Sequence, residues 1–138
     1  MRLRNYTDIP DDTVRALIRA VRPSGISNFD VRVSNGQHFR GMAYTHGSGY
    51  HDRADPFIVC AIQKKAHVVR PATGAYLPTV LGSRIEQLIW LLAHELRHMW
   101  QAKHSRGRVY GSRGRYSERD ADAYALRMLR RYRRGELP

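Results

Sequence analysis

The chain has 138 residues, of which 42% are hydrophobic, and its formal net charge at pH 7 is +12. This length suits one domain over residues 1–138 rather than two, and the hydrophobic content excludes disorder driven by charge. The one cysteine, Cys60, excludes an internal disulfide and a zinc site made of several cysteines.

The N-terminal residues lack the apolar stretch of a secretion signal. The longest apolar run, residues 88–93, is too short to span a bilayer. We therefore expect a soluble, cytoplasmic protein without membrane contact. The positive charge is compatible with binding to nucleic acid or another polyanion, and equally with a solvated surface rich in arginine.

The first third of the chain predicts a helix followed by a β-hairpin. The helix begins near Asp11 and carries one apolar stripe at helical spacing. The stripe consists of Val14, Leu17, Ile18 and Val21. Two alternating runs, 29–34 and 37–44, flank Asn35-Gly36, and Asn-Gly between such runs is the strongest short signal for a hairpin.

The middle of the chain predicts short strands separated by loops. The apolar run 57–62 is typical of a central strand, and 66–70 is a candidate to pair beside it. Segments 45–56 and 71–78 have the composition of loops.

The last third predicts two helices joined by a loop. A long helical pattern runs from Ser83 to about His104, and the segment 105–116, rich in glycine and arginine, indicates a loop. Ser117 is the candidate N-cap of the last helix, with Asp120 three residues on in an arrangement like a capping box.

The order of these elements is helix, three or four strands, helix, helix. Such an order indicates an α+β domain, in which the helices pack on one face of a small, mostly antiparallel sheet.

The helix from Ser83 contains His94-Glu95-Leu96-Arg97-His98, an HExxH motif. At 3.6 residues per turn the two imidazoles lie nearly above one another, so both can bind one ion at the usual Zn–N distance of about 2.0–2.1 Å. Glu95 is rotated by about 100° from His94, which puts its carboxylate beside the open position of the metal, where a general base belongs. An apolar stripe faces away from the histidines. It consists of Ile85, Leu88, Ile89, Leu92, Leu96 and Met99.

A catalytic zinc site usually has three protein ligands and one water, so a third ligand is required. Glu118, on the next helix, is the favoured candidate, and Asp122 one turn later could accept the free ring N–H of a liganding histidine. His104 is less favoured, because ten residues of continuous helix separate it from His94 by about 15 Å. Asp120, Asp122 or an upstream histidine are further alternatives. The acidic residues could also have no role in metal binding and only cap the N-terminus of the helix, where the helix dipole favours carboxylates.

His94-Glu95-x-x-His98 followed by Glu118-x-x-x-Asp122 resembles the zincin metallopeptidases, and within them the gluzincins. Minigluzincins and SprT-like proteins are similar in size. The resemblance implies that His94, His98 and Glu118 bind zinc, one ion per chain, that Glu95 is the general base and acid, and that Asp122 is the partner of His94. It also implies a minimal zincin-like domain, whose small sheet precedes the active-site helix and aligns the substrate along its edge strand.

Many gluzincins supply a further His or Tyr after the third ligand to stabilise the transition state. No histidine follows His104 in this chain, so that role is open. Tyr116 and Tyr110 are candidates, as are His46 and His51.

The resemblance implies a metallopeptidase that hydrolyses peptide bonds of a polypeptide substrate by a zinc-activated water, with Glu95 taking the proton. The arginine-rich segment 106–134, with tyrosines interleaved, has the residue types that hold phosphates and stack on bases. A basic nucleic-acid-binding protein is therefore an alternative, and an SprT-like peptidase that acts on DNA-associated proteins would combine the two. A catalytically silent zincin scaffold is a further alternative, against which Glu95 argues, because a structural metal site needs no base.

Overall fold

A computed structural model describes residues 1–44, 56–69, 79–104 and 115–137, with the backbone alone at 44 and 115–117. Within these ranges the chain forms both helices and small sheets, which confirms the predicted α+β class. In chain order the elements are β1 (Leu3–Asn5), α1 (Asp11–Val21), β2 (Asp30–Asn35), β3 (Arg40–Tyr44), β4 (Phe57–Ile62), β5 (His67–Val69), β6 (Thr79–Leu81), α2 (Arg84–His104) and α3 (Arg115–Arg133). The predicted loop 71–78 lies outside the described residues, as do residues 45–55 and 105–114 of the predicted loops 45–56 and 105–116. Arg115 and Tyr116 belong to α3, so the prediction of a loop is wrong there.

The larger sheet has the strand order β1-β2-β4-β3 and is mixed. β1, β2 and β4 run parallel, and only β3 is antiparallel to its neighbour, so the prediction of a mostly antiparallel sheet is wrong for this sheet. β1 was not predicted, because three residues are too few to display alternation. Since α1 connects β1 to β2, the two strands can lie side by side in the same direction. β5 pairs with β6 rather than beside β4, which also differs from the prediction.

The predicted hairpin between β2 and β3 does not form, because β4 lies between these strands. Ile58, Cys60 and Ile62 of β4 are all 0% exposed, and a strand buried to this extent takes a central position, as predicted. The Gly36 N–H donates to the Ile62 carbonyl at 2.9 Å, which extends the β2–β4 pairing by one residue beyond β2. Among the described residues, neither Asn35 nor Gly36 has the positive φ of a tight hairpin turn.

α2 is the central helix of the fold, in contact with the larger sheet, β6, α1 and α3. Its predicted apolar stripe is confirmed: Leu88, Ile89, Leu92 and Leu96 are fully buried. Contact on several sides explains why Gln87, outside the stripe, is buried as well. None of the helices in the described ranges is long and apolar enough to cross a membrane.

The outer helices agree with the predictions to different degrees. The apolar stripe of α1 is buried at all four positions, as predicted. α3 begins at Arg115, so Ser117 lies within its first turn and is not the N-cap that the sequence predicted. Asp120 does not close a capping box, because its carboxylate accepts hydrogen bonds from Arg97 and Gln101 of α2. An arginine on the facing helix offers Asp120 a stronger partner than a neutral backbone N–H.

Candidate metal centre

Two histidines one turn apart on α2 direct the same ring nitrogen to the same place. The Nε2 atoms of His94 and His98 lie 3.1 Å apart. The ring planes meet at 82°, with centroids 4.7 Å apart. Edge-on rings with adjacent Nε2 atoms are what two ligands of one ion require.

α3 brings a carboxylate to these two nitrogens. Glu118 Oε2 lies 3.1 Å from His94 Nε2, and its Oε1 lies 3.2 Å from His98 Nε2. Among the described residues, His94, His98 and Glu118 form a group whose ligand atoms all lie within 4.8 Å of one another. His104 does not join them, because it is exposed at the end of α2, where its ring stacks on Trp100.

The spacing of the donor atoms fits a small divalent cation. Zinc in a tetrahedral site has ligands at about 2.0–2.1 Å, so adjacent ligand atoms are about 3.3 Å apart. The observed separations of 3.1 and 3.2 Å are close to this value. Two imidazoles and one carboxylate form the donor set of a catalytic zinc site, which keeps its fourth position open.

Asp122 lies on the far side of the His94 ring and is 2% exposed. Its Oδ1 is 2.8 Å from His94 Nδ1, although the ring N–H is not aligned for a regular hydrogen bond. Among the described residues, Asp122 Oδ2 has no hydrogen-bond partner. A buried carboxylate at this position favours the proton on Nδ1 and leaves Nε2 available for a metal.

Glu95 lies beside the three donor atoms without belonging to their group. It is 5% exposed, and its Oε1 is 3.6 Å from His94 Nε2. Gly41 of β3 makes room for it: a Cβ at that position would lie 3.1 Å from Glu95 Cγ and 3.2 Å from Leu91 Cδ2. The sequence analysis overlooked Gly41, although a lone glycine inside a strand signals a close approach.

The ionisable side chains of the site shift one another's pKa values. Burial lowers the pKa of His94, but Asp122, Glu118 and Glu95 outweigh this effect and raise it to about 10. Hydrogen bonds from His94 and His98 hold the pKa of Glu118 well below its usual range. Burial raises the pKa of Glu95. The raised pKa values of His94 and His98 favour protons on the imidazoles beside these carboxylates when no metal is bound, and a divalent cation can take the place of those protons.

His98 has a partner of its own that the sequence analysis did not assign. Gln101 is 2% exposed, and its Oε1 lies 2.8 Å from His98 Nδ1. Its position three residues after His98 on a helix was the available signal, since such residues are neighbours on the helix surface.

Several predicted candidates lie outside what the structure describes. Tyr110, His46 and His51 fall in the gaps between described ranges, and at Tyr116 only the backbone is described. Of the arginine-rich segment 106–134, the structure describes residues 115–134.

Comparisons of the chain with models of protein families, with curated proteins and with solved structures found no match. The functional interpretation therefore rests on the chemistry and geometry of the site itself.

Proposed function

We propose that the protein is a zinc-dependent metallopeptidase with a minimal zincin-like fold. One observation carries the proposal: the Nε2 atoms of His94 and His98 lie 3.1 Å apart, each lies 3.1 or 3.2 Å from one of the two Glu118 oxygens, and the separate carboxylate of Glu95 lies 3.6 Å from His94 Nε2. A structural zinc site would use four protein ligands and would need no buried base beside it. The order of elements agrees, since the sheet precedes the helix that carries HExxH and its edge strand β3 contacts that helix.

His94, His98 and Glu118 are the residues that would hold the ion. When bound, zinc supplies Lewis acidity, which lowers the pKa of water and polarises a carbonyl. Glu95 accepts the proton of the attacking water and then donates it to the leaving amine. Burial raises the pKa of Glu95, which brings the carboxylate closer to the range where it both takes and releases a proton. Asp122 keeps the His94 proton on Nδ1 throughout.

Glu95→Gln tests this proposal, because it removes the proton acceptor and keeps the size of the side chain. We expect the purified protein to contain about one zinc per chain and to cleave unfolded casein, used as a general probe. The variant should keep its zinc and lose about 10²–10⁴-fold in cleavage rate. Glu136→Gln, at an exposed residue near the C-terminal end of α3, is the matched control and should cleave normally. Undiminished cleavage by Glu95→Gln would disprove the mechanism.

A further inference from the structure

A row of polar side chains connects His98 of α2 to α3. His98 Nδ1 lies 2.8 Å from Gln101 Oε1, and Gln101 Nε2 donates to Asp120 Oδ2 at 3.0 Å. Arg97 binds the same carboxylate through two atoms, Nε to Oδ2 at 2.7 Å and Nη2 to Oδ1 at 3.1 Å. The row therefore leads from a candidate metal ligand to an ion pair between the two helices.

The chemistry of this row fixes the direction of each hydrogen bond. An ionised carboxylate only accepts, so Asp120, held ionised by Arg97, requires the NH₂ group of Gln101 to face it. The carbonyl oxygen of Gln101 then faces His98 and can only accept a hydrogen bond from Nδ1–H. In the neutral form that binds a metal, His98 carries its single ring proton on Nδ1, and the lone pair of Nε2 is available to the ion. That nitrogen is the one that faces His94 and Glu118.

Burial makes this arrangement stable. Gln101 is 2% exposed, and a buried amide that lost its partners would pay the full cost of desolvation. The side chains of Arg97 and Asp120 are 17% and 27% exposed, which partly protects their two-atom contact from water. The Arg97 guanidinium also lies 3.6 Å from the centre of the Trp100 ring, which limits its movement.

We propose that Gln101 is a positioning residue, which fixes the tautomer and ring orientation of His98 and is itself fixed by Asp120 and Arg97. The proposal rests on the proposed function only in taking His98 as a zinc ligand. The two histidines are thus supported from α3 by different routes. Asp122 contacts His94 directly, and Asp120 acts on His98 through an amide.

The zinc dissociation constants of Gln101→Leu and of a matched control test the proposal. Partners that orient metal-bound histidines typically contribute about 10–100-fold to metal affinity, so we expect Gln101→Leu to weaken zinc binding by this factor. Gln87→Leu is the control: Gln87 is an equally buried glutamine of α2, but it bonds Gln63 N and Lys65 O, away from the site. Its zinc affinity should stay that of the unsubstituted protein even if the fold is less stable.

A spectroscopic readout separates positioning from general stability. With Co²⁺ in place of zinc, the unsubstituted protein should give two exchangeable ring N–H signals in the ¹H NMR spectrum, one for each histidine. Gln101→Leu should lose the signal of His98 to exchange with solvent and keep that of His94. If Gln101→Leu does not fold, Asp120→Asn at a partly exposed position provides the same test, because it frees the amide of Gln101 to rotate.

The outcomes distinguish this proposal from the proposed function. Unchanged zinc affinity together with both N–H signals in Gln101→Leu would overturn the positioning role and leave the metallopeptidase untouched. Weakened zinc binding in a protein that cleaves no peptide would support the positioning role and overturn the peptidase. Failure of the unsubstituted protein to bind zinc would overturn both.

Discussion

Gly41 of β3 shapes the site through the side chain that it lacks. The backbone of β3 approaches α2 so closely that a methyl group at this position would meet Glu95 and Leu91. The nearest contact is with Glu95 Cγ, in the middle of that side chain, and the next is with the terminal Cδ2 of Leu91, which is itself buried. The position of the proposed base is therefore set in part by a glycine on a neighbouring strand.

We predict that Gly41→Ala lowers the cleavage rate and leaves zinc binding intact. The added Cβ, at 3.1 Å from Glu95 Cγ, must push the carboxylate away by a few tenths of an ångström, and misplaced catalytic groups commonly cost tenfold or more in rate. Gly82→Ala is the matched control, since its added Cβ would meet only Glu86 Oε1, at 3.8 Å. Rates that are equal for both variants would contradict this role of Gly41.

Single residues of the site differed in how well the sequence predicted them. His94, Glu95 and His98 follow from helical spacing, which puts three side chains in known relative positions. Glu118 was favoured over His104 by its place on the next helix, but alternatives stayed open because no local rule tells how far that helix folds back. Gln101 escaped notice because its role depends on Asp120, which comes from the other helix.

At the level of elements, the sequence predicted the helices better than the strand pairing. α1 and α2 follow from apolar periodicity, which is a local property of the chain. Strand order depends on which strand buries the most apolar surface, which is not a local property of the chain. The buried strand β4 lies between β2 and β3, so the hairpin that Asn35-Gly36 favours locally does not form. β1 could be recognised only through its pairing with β2.

The contact between α2 and α3 predicts how the metal-free protein responds to pH. Asp122, Glu118 and Glu95 raise the pKa of His94 above its ordinary value of 6.5 to about 10, and hydrogen bonding to Glu118 raises that of His98, in both cases against the opposing effect of burial. A raised pKa means that protonation stabilises the fold fully below pH 6.5 and that this contribution is lost as the pH rises towards the folded value.

We therefore predict that, in the presence of a chelator, the free energy of unfolding falls between pH 6.5 and about 10. Each proton that the folded state binds in excess contributes a slope of about 1.4 kcal/mol per pH unit. Urea denaturation at a series of pH values measures this slope, and saturating zinc should abolish it because the metal replaces the protons. A flat or rising stability in the chelator would contradict the contact between the helices.

For the whole molecule, some of the 24 basic residues form ion pairs between elements and do not belong to free surface. Arg133 of α3 binds Glu86 at the start of α2, and Arg97 binds Asp120, so both hold elements together. Arginines that form such ion pairs stabilise the fold and are no evidence for a polyanionic partner. Binding of nucleic acid through 106–134 stays a prediction.

The central claim is that side chains from two helices meet at one zinc ion, and zinc affinity tests it most directly. The measurement compares the unsubstituted protein with Glu118→Ala and His104→Ala, by competition with a chromophoric chelator. We expect one zinc per chain in the unsubstituted protein, a large loss of affinity in Glu118→Ala, and normal affinity in His104→Ala, because the His104 ring stacks on Trp100 away from the site. Normal zinc binding by Glu118→Ala, or its loss in His104→Ala alone, would contradict the account.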